Sequence, residues 1–294
     1  MLNLCDPKTI KQVMDMFGLN FKKEFGQNFL TDMMTVEDIA DACSPEDSDI
    51  TVLEIGPGIG CMTRCLCERY RDVVALEIDT GLIPVLNYTL DGYKNVTVIN
   101  EDVMKADLSE ILAPYFAKGK VAVCANLPYY ITTPILMKLI ESKLPFESIT
   151  VMVQTEVAQR LCAGAGHKNC GAITAAIDYY GQAEMLFTVN ADRFMPPPKV
   201  NSSVVRITLW KDKPVKPIDE DMFFRTVRAA FEQRRKTLPN SLMTGFPEIP
   251  KERLTEIILE CGYKADVRGE KLNVKQFSEL SDKLYLEVYG DKNA

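Results

Sequence analysis

The chain of 294 residues is long enough for one large domain and a small one, and its composition, 47% hydrophobic and 26% charged, is that of an ordinary globular protein. No apolar run approaches the roughly 18–20 residues of a membrane span; the opening MLNLCDPKTIKQVMDMFGLN has no apolar signal core and lacks the Arg-rich, acid-poor character of a transit peptide, so a cytoplasmic location is expected. The net charge of −7 argues against a nucleic-acid partner only until it is counted locally: residues 192–216 hold six basic and two acidic side chains and residues 222–240 five and one, so each stretch carries +4 and the remainder −15.

Residues 1–31 are polar and mixed, with two aromatic–basic clusters, Phe21-Lys22-Lys23 and Phe25–Leu30 (FGQNFL). A helix is expected from Asp32 to Cys43. Apolar strand candidates then recur at Thr51–Ile55, Val73–Ile78, Val96–Ile99, Val121–Ala125 and Ile149–Val153 with helical patterns between them, which predicts a parallel, doubly wound α/β sheet. Glu184–Val189 and Ser203–Trp210 lack an intervening helix and suit a terminal antiparallel hairpin on that sheet. Lys211–Pro217 has linker composition, and helical patterns follow at Asp219–Glu232, roughly Pro250–Cys261, and Val274–Tyr289. The expected division is residues 1–212 as an α/β domain and 213–294 as a small all-helical one.

Nine cysteines, an odd and scattered number, read as free thiols in a reducing compartment. Cys61, Cys65 and Cys67 form C-x3-C-x-C, one residue short of a radical-enzyme cluster motif, and helical spacing turns Cys67 away from the other two; they read as small packing residues. The single histidine, His167, lies in the loop GAGHKNCG and excludes a multi-His metal site. No metal is expected.

Leu53–Gly60 (LEIGPGIG) is a strand entering a glycine-rich turn and then a helix, where backbone can pass close to a ligand. Cys61 occupies the place of the third small residue of the dinucleotide fingerprint, so spacing alone leaves a dinucleotide possible. Glu77 ends the second strand, placed to accept both hydroxyls of a ribose, and Asp102 follows the third, where it can accept an adenine amino proton. Together the turn, the acid after strand two and the Asp after strand three resemble the S-adenosylmethionine pocket of class I methyltransferases.

Val121–Leu136 carries Asn126-Leu127-Pro128-Tyr129 at the mouth of a buried strand. In an open α/β sheet ligands bind at that mouth. A carboxamide and a carbonyl can accept both N–H bonds of a planar amino-heterocycle while a ring stacks on its face. This N-L-P-Y sequence is similar to the N/D-P-P-Y-like signature of amino methyltransferases. Cys124 lies inside the strand and reads as core, against C5-cytosine chemistry.

From about Lys22 to Leu242 the chain resembles the KsgA-type small-subunit ribosomal RNA adenine dimethyltransferases. The resemblance rests on Phe25–Leu30, Val52–Gly60, Glu77, Asp102, Asn126–Tyr129, Phe194–Ser202 (FMPPPKVNS) and Ala230–Leu242 (AFEQRRKTLPNSL). It implies a Rossmann-like class I fold with a mostly parallel seven-stranded sheet. It also implies cofactor contacts from Asn28, Leu30, Gly56, Gly58, Glu77, Asp102 and Asn126, and an acceptor site of Asn126, Leu127, Pro128, Tyr129 and Phe194 in which Tyr129 and Phe194 stack on a flipped adenine. The implied reaction is dimethylation of two adjacent adenines near the 3′ end of small-subunit ribosomal RNA, by a monomer acting on a pre-assembled subunit. RNA contacts are expected from Lys22, Lys23, Arg225, Arg228, Arg234, Arg235 and Lys236, with Arg225, Arg228 and Arg235 on one helical face. Two positions depart from the family: Cys170-Gly171 replaces a frequent Tyr-Gly, and Thr155 replaces a Lys. The alternatives are a large-subunit methyltransferase of the erythromycin-resistance type, a DNA-adenine or protein-glutamine methyltransferase, and a non-catalytic nucleic-acid-binding assembly factor on the same scaffold.

Overall fold

The structure, a computed structural model, describes residues 2–22 and 25–290. Its first element is a helix that the polar opening residues conceal. In α1 (Pro7–Met16) the Asp6 carboxylate caps the Lys8 N–H, Pro7 occupies the first turn, and Ile10, Val13 and Met14 fall on one buried face. These side chains form a small core with Leu4, Ile59, Leu82 and Val85. A two-residue strand, β1 (Phe29–Leu30), precedes α2 (Met33–Cys43).

The alternation expected from the apolar runs follows as β2 (Thr51–Ile55), α3 (Cys61–Arg69), β3 (Asp72–Glu77), α4 (Ile83–Thr89), β4 (Val96–Asn100), α5 (Leu108–Phe116), β5 (Val121–Asn126), α6 (Thr132–Glu141) and β6 (Phe146–Gln154). After α7 (Thr155–Leu161) and α8 (Ala172–Tyr180) come β7 (Gly181–Val189), the two-residue β8 (Phe194–Met195) and β9 (Ser202–Leu209). The seven-stranded sheet runs β4-β3-β2-β5-β6-β9-β7. β4, β3, β2, β5 and β6 are mutually parallel, and β9 lies antiparallel to β6. β2 is buried along its whole length and β5 up to its last residue, as strands covered on both faces must be. The short β1 and β8 pair apart from the sheet, with Phe29 opposite Met195 and Leu30 opposite Phe194.

The chain divides into two compact units, Met1–Ala158 with Glu184–Leu209, and Gln159–Ala183 with Trp210–Ala294. The linker composition at Lys211–Pro217 marks only the last entry into the second unit. Residues 159–183 belong there too, because the α8 rings pack on the helix that follows the linker, α9 (Glu220–Glu232). Tyr179 stacks on Phe223 at 4.7 Å and Tyr180 on Phe224 at 5.5 Å between ring centroids. Lys213 lies over both tyrosine rings and pairs with Glu220 at 2.8 Å. α10 (Leu238–Gly245), α11 (Lys251–Glu260) and α12 (Val274–Tyr289) complete this unit around Phe246 and Phe277. Among the described residues no helix is long and apolar enough to cross a membrane.

Candidate active site

β2 lies between β3 and β5, all three parallel and in register, so Ile55, Glu77 and Asn126 leave the sheet at one edge. The strand order reverses there, and an open sheet has a crevice at such a point. Two adjoining cavities occupy it, sharing Phe25, Gly56, Ile78 and Pro128 in their walls.

The glycine-rich turn sets the first wall. Gly58 takes a φ of 62°, and a Cβ on it would sit 2.9 Å from the Phe29 ring, so only glycine fits. The Gly58 N–H donates to Glu77 Oε2 at 3.1 Å, and the Asp79 N–H donates to Glu77 Oε1 at 2.8 Å. Glu77 is buried, and burial pushes its carboxyl up to about 7 although the backbone N–H groups of Asp79 and Gly58 pull it down.

Glu54, in the middle of β2, lines the same cavity and is fully buried. Neither of its carboxyl oxygens has a hydrogen-bond partner of normal geometry, and the neighbouring Thr63 hydroxyl is unpaired as well. Burial pushes Glu54 up to about 8, partly opposed by Thr63 and reinforced by Glu77. An orphaned carboxyl in a pocket fits a ligand that brings positive charge or an N–H donor. S-adenosylmethionine brings both, as a sulfonium and an ammonium. The residues therefore fit that cofactor. Cys61 closes this wall, its sulfur 2.8 Å from that of Cys5. Among the described residues, no group of three or more His, Cys, Asp or Glu is placed to hold a metal.

Asp102 lines the second cavity with Ile55, Leu76, Ile78 and Val103, and its Oδ1 accepts from the Met104 N–H at 2.9 Å. A largely apolar cavity with a carboxylate in its lining suits an adenine ring.

The Asn126–Tyr129 turn lines the first cavity as well. Asn126 Nδ2 donates to the Asn28 carbonyl at 3.2 Å, which fixes the amide with Oδ1 left to accept. Leu127 is buried and its N–H is tied to the Met152 carbonyl at 3.2 Å, so the turn cannot swing. The Pro128 carbonyl accepts from the Thr132 hydroxyl at 3.0 Å. The Tyr129 hydroxyl shares a 2.7 Å hydrogen bond with Ser202 on β9, which holds the ring in the cavity wall. Asn28 and Leu30 line the wall beside it. Phe194 does not: it is 4% exposed and packs in the core opposite Leu30.

The basic residues are dispersed. Lys22 pairs with buried Asp79 at 2.7 Å, and Lys23 lies outside the described residues. Arg225, on α9, donates to the Gly245 carbonyl at 2.8 Å, pairs with Glu248 at 2.7 Å and lies over the Phe246 ring. Because α9 ends at Glu232, Arg235 is off the helix and shares no helical face with Arg225 and exposed Arg228. Arg234 donates to the Cys170 carbonyl at 3.1 Å, while Arg235 and Lys236 are exposed. Thr155 bonds Ser203, and the Cys170 thiol is buried against the Glu270 carbonyl. Glu54 and Asp79 escaped the sequence reading, although an acid inside the apolar β2 run was a visible signal.

The profile of the ribosomal RNA adenine dimethylase family matches residues 18–284. The chain belongs to this family. A relative named ribosomal RNA small subunit methyltransferase A, from Lachnoclostridium phytofermentans, is 48% identical over 285 residues, 96% of this chain and 98% of the relative. Among solved structures, a dimethyladenosine transferase from Plasmodium falciparum matches with a TM-score of 0.67 at 24% identity, covering 84% of this chain and 94% of that one. A 23S rRNA methyltransferase, ErmE, matches with a TM-score of 0.64 at 25% identity, covering 87% and 99%. The α/β scaffold is thus a class I methyltransferase fold.

Proposed function

We propose that the protein transfers methyl groups from S-adenosylmethionine to the exocyclic nitrogen of two adjacent adenines near the 3′ end of small-subunit ribosomal RNA, giving N6,N6-dimethyladenine during subunit biogenesis. The observation that carries this reading is the anchored Asn126 amide, whose oxygen is left to accept beside a pocket lined by Glu54 and Glu77.

When bound, the cofactor supplies an electrophilic methyl on sulfur; Glu77 and Asp102 would hold its ribose and adenine, with Asn28, Leu30, Gly56 and Gly58 around them. The adenine amino group is a poor nucleophile because its lone pair is delocalised into the ring. Asn126 Oδ1 and the Leu127 carbonyl, accepting its N–H bonds, favour a pyramidal nitrogen and stabilise the charge that develops on it. The rest is positioning. Tyr129 is the ring that faces the cavity, and a flipped base would stack on it; Phe194 could serve as a second face only after turning out of the core. Arg228, Arg235 and Lys236 provide exposed charge for the RNA backbone, and the protein acts as a cytoplasmic monomer on an assembled subunit.

Labelled S-adenosylmethionine offered with undermethylated small subunits, large subunits, naked RNA and duplex DNA tests the reading. Label is expected in small-subunit RNA. Label confined to large-subunit RNA would favour the erythromycin-resistance type, and no turnover on any substrate would favour an assembly factor.

A further inference from the structure

Lys22 is a basic residue beside a second lysine near the acceptor side, and by its position alone it belongs with the RNA contacts. Its surroundings say otherwise. The ammonium is 2.7 Å from Oδ1 of Asp79, a carboxylate only 3% exposed. Asp79 Oδ2 accepts from Gln27 Nε2 at 3.0 Å, and Gln27 Oε1 in turn accepts from the Lys22 backbone N–H at 2.8 Å. The Phe25 ring lies 5.4 Å below the same ammonium, and the Phe25 N–H donates to the Lys22 carbonyl. Lys22 and Gln27 therefore converge on a single buried carboxylate.

That carboxylate joins the two halves of the site. The Asp79 backbone N–H donates to Glu77 Oε1, on the cofactor side. The loop that it holds continues through Gly26, whose carbonyl accepts from Asn28 Nδ2, to the Asn28 carbonyl that orients Asn126. We infer that Lys22 is a positioning residue, the latch that, through Asp79, holds the segment from Phe25 to Leu30 closed over the cofactor cavity. The inference rests on the reading of that cavity as the S-adenosylmethionine site.

Losing the latch leaves Asp79 with a buried, under-compensated charge. The segment then spends part of its time open, and apparent affinity falls in proportion to the closed fraction. Calorimetric titration of S-adenosylmethionine into the full chain, without RNA, tests this. Lys22→Met is expected to weaken binding by about tenfold, or ~1.4 kcal/mol, while Lys22→Arg, which keeps the charge, restores most of it. Asp79→Asn also disturbs the Gln27 bond and should weaken binding at least as much, and the double variant should be no weaker than the weaker single one, since the Lys22–Asp79 ion pair is lost in either. In turnover assays the KM for S-adenosylmethionine should rise while kcat and the RNA affinity hold. Lys22 is partly exposed, so Lys22→Met decides the matter even where Asp79→Asn does not fold. The latch is overturned if Lys22→Met leaves cofactor binding intact but weakens RNA binding and flattens its salt dependence, or if the two single losses simply add. An unmodified protein that bound no S-adenosylmethionine would instead overturn the cofactor reading and the latch with it.

Discussion

Asn126, at the end of β5, donates its side-chain amide to the backbone carbonyl of Asn28, 98 residues earlier in the chain. This one bond orients a carboxamide that otherwise could point either way, and it leaves the oxygen available to accept, as the proposed methyl transfer requires. Asn126→Ala removes the acceptor, and Asn126→Asp removes the donor while turning a carboxylate towards a carbonyl. Either substitution should lower kcat by about 10²–10³, the loss typical of removing one preorganised group from a polar catalytic site. RNA binding and thermal stability should stay near those of the unmodified protein. Steady-state methyl transfer beside an RNA-binding assay checks this, and near-normal turnover would remove Asn126 from the reaction.

Glu54 and Glu77 make the protein sensitive to pH. Their carboxyls rise from 4.5 in the ordinary state to about 8 and about 7 in the fold, chiefly through burial. A raised acid favours the folded state while it is protonated, so this stabilisation is complete below about pH 4.5 and is lost as the pH climbs through 7 and 8. The cofactor-free protein should lose stability across that window, and Glu54→Gln should flatten the slope. A cationic ligand reverses the preference, so binding S-adenosylmethionine near pH 7 should release protons. Calorimetry in two buffers of different ionisation heat measures that release.

Gly58→Ala tests the turn. The left-handed conformation costs a residue with a side chain ~1–2 kcal/mol, and the new Cβ would also meet the Phe29 ring at 2.9 Å. A drop of several degrees in the unfolding temperature together with weaker cofactor binding is expected; a drop in stability alone would mean that Phe29 yields without disturbing the pocket.

The basic residues of the second unit should separate into two groups. Arg225 is committed to Gly245, Glu248 and Phe246, so Arg225→Ala should cost about 1 kcal/mol of stability and leave RNA affinity almost unchanged. Replacing exposed Arg235 and Lys236 together by Ala should do the opposite. Each lost phosphate contact should reduce the salt slope of RNA binding by roughly 0.7–0.9. Salt titrations of RNA binding beside thermal unfolding distinguish the two groups, and an unchanged slope would mean that Arg235 and Lys236 merely face solvent.

What the amino-acid order determined by itself was local. The apolar runs placed β2, β3 and β5 to within a residue at each end, because a strand covered on both faces must be apolar throughout, while the first three residues of β6 went unread. The glycine turn and the N-L-P-Y tetrapeptide were legible because their chemistry lies in adjacent residues. Helix α1 was obscured, since its apolar stripe of Ile10, Val13 and Met14 is thin in a polar segment and packs on residues as distant in the chain as Ile59, Leu82 and Val85. Tertiary structure decided the rest, because burial and pairing depend on residues far apart in the chain. It made Glu54 an orphan acid, gave Lys22 to Asp79 instead of leaving it free for RNA, and turned Phe194 into the core. It also carried residues 159–183 into the helical unit, where Tyr179 and Tyr180 find the rings of Phe223 and Phe224. A carboxylate's partner and a ring's neighbour are set by the path of the whole chain, which the residue's own neighbourhood in the sequence does not contain.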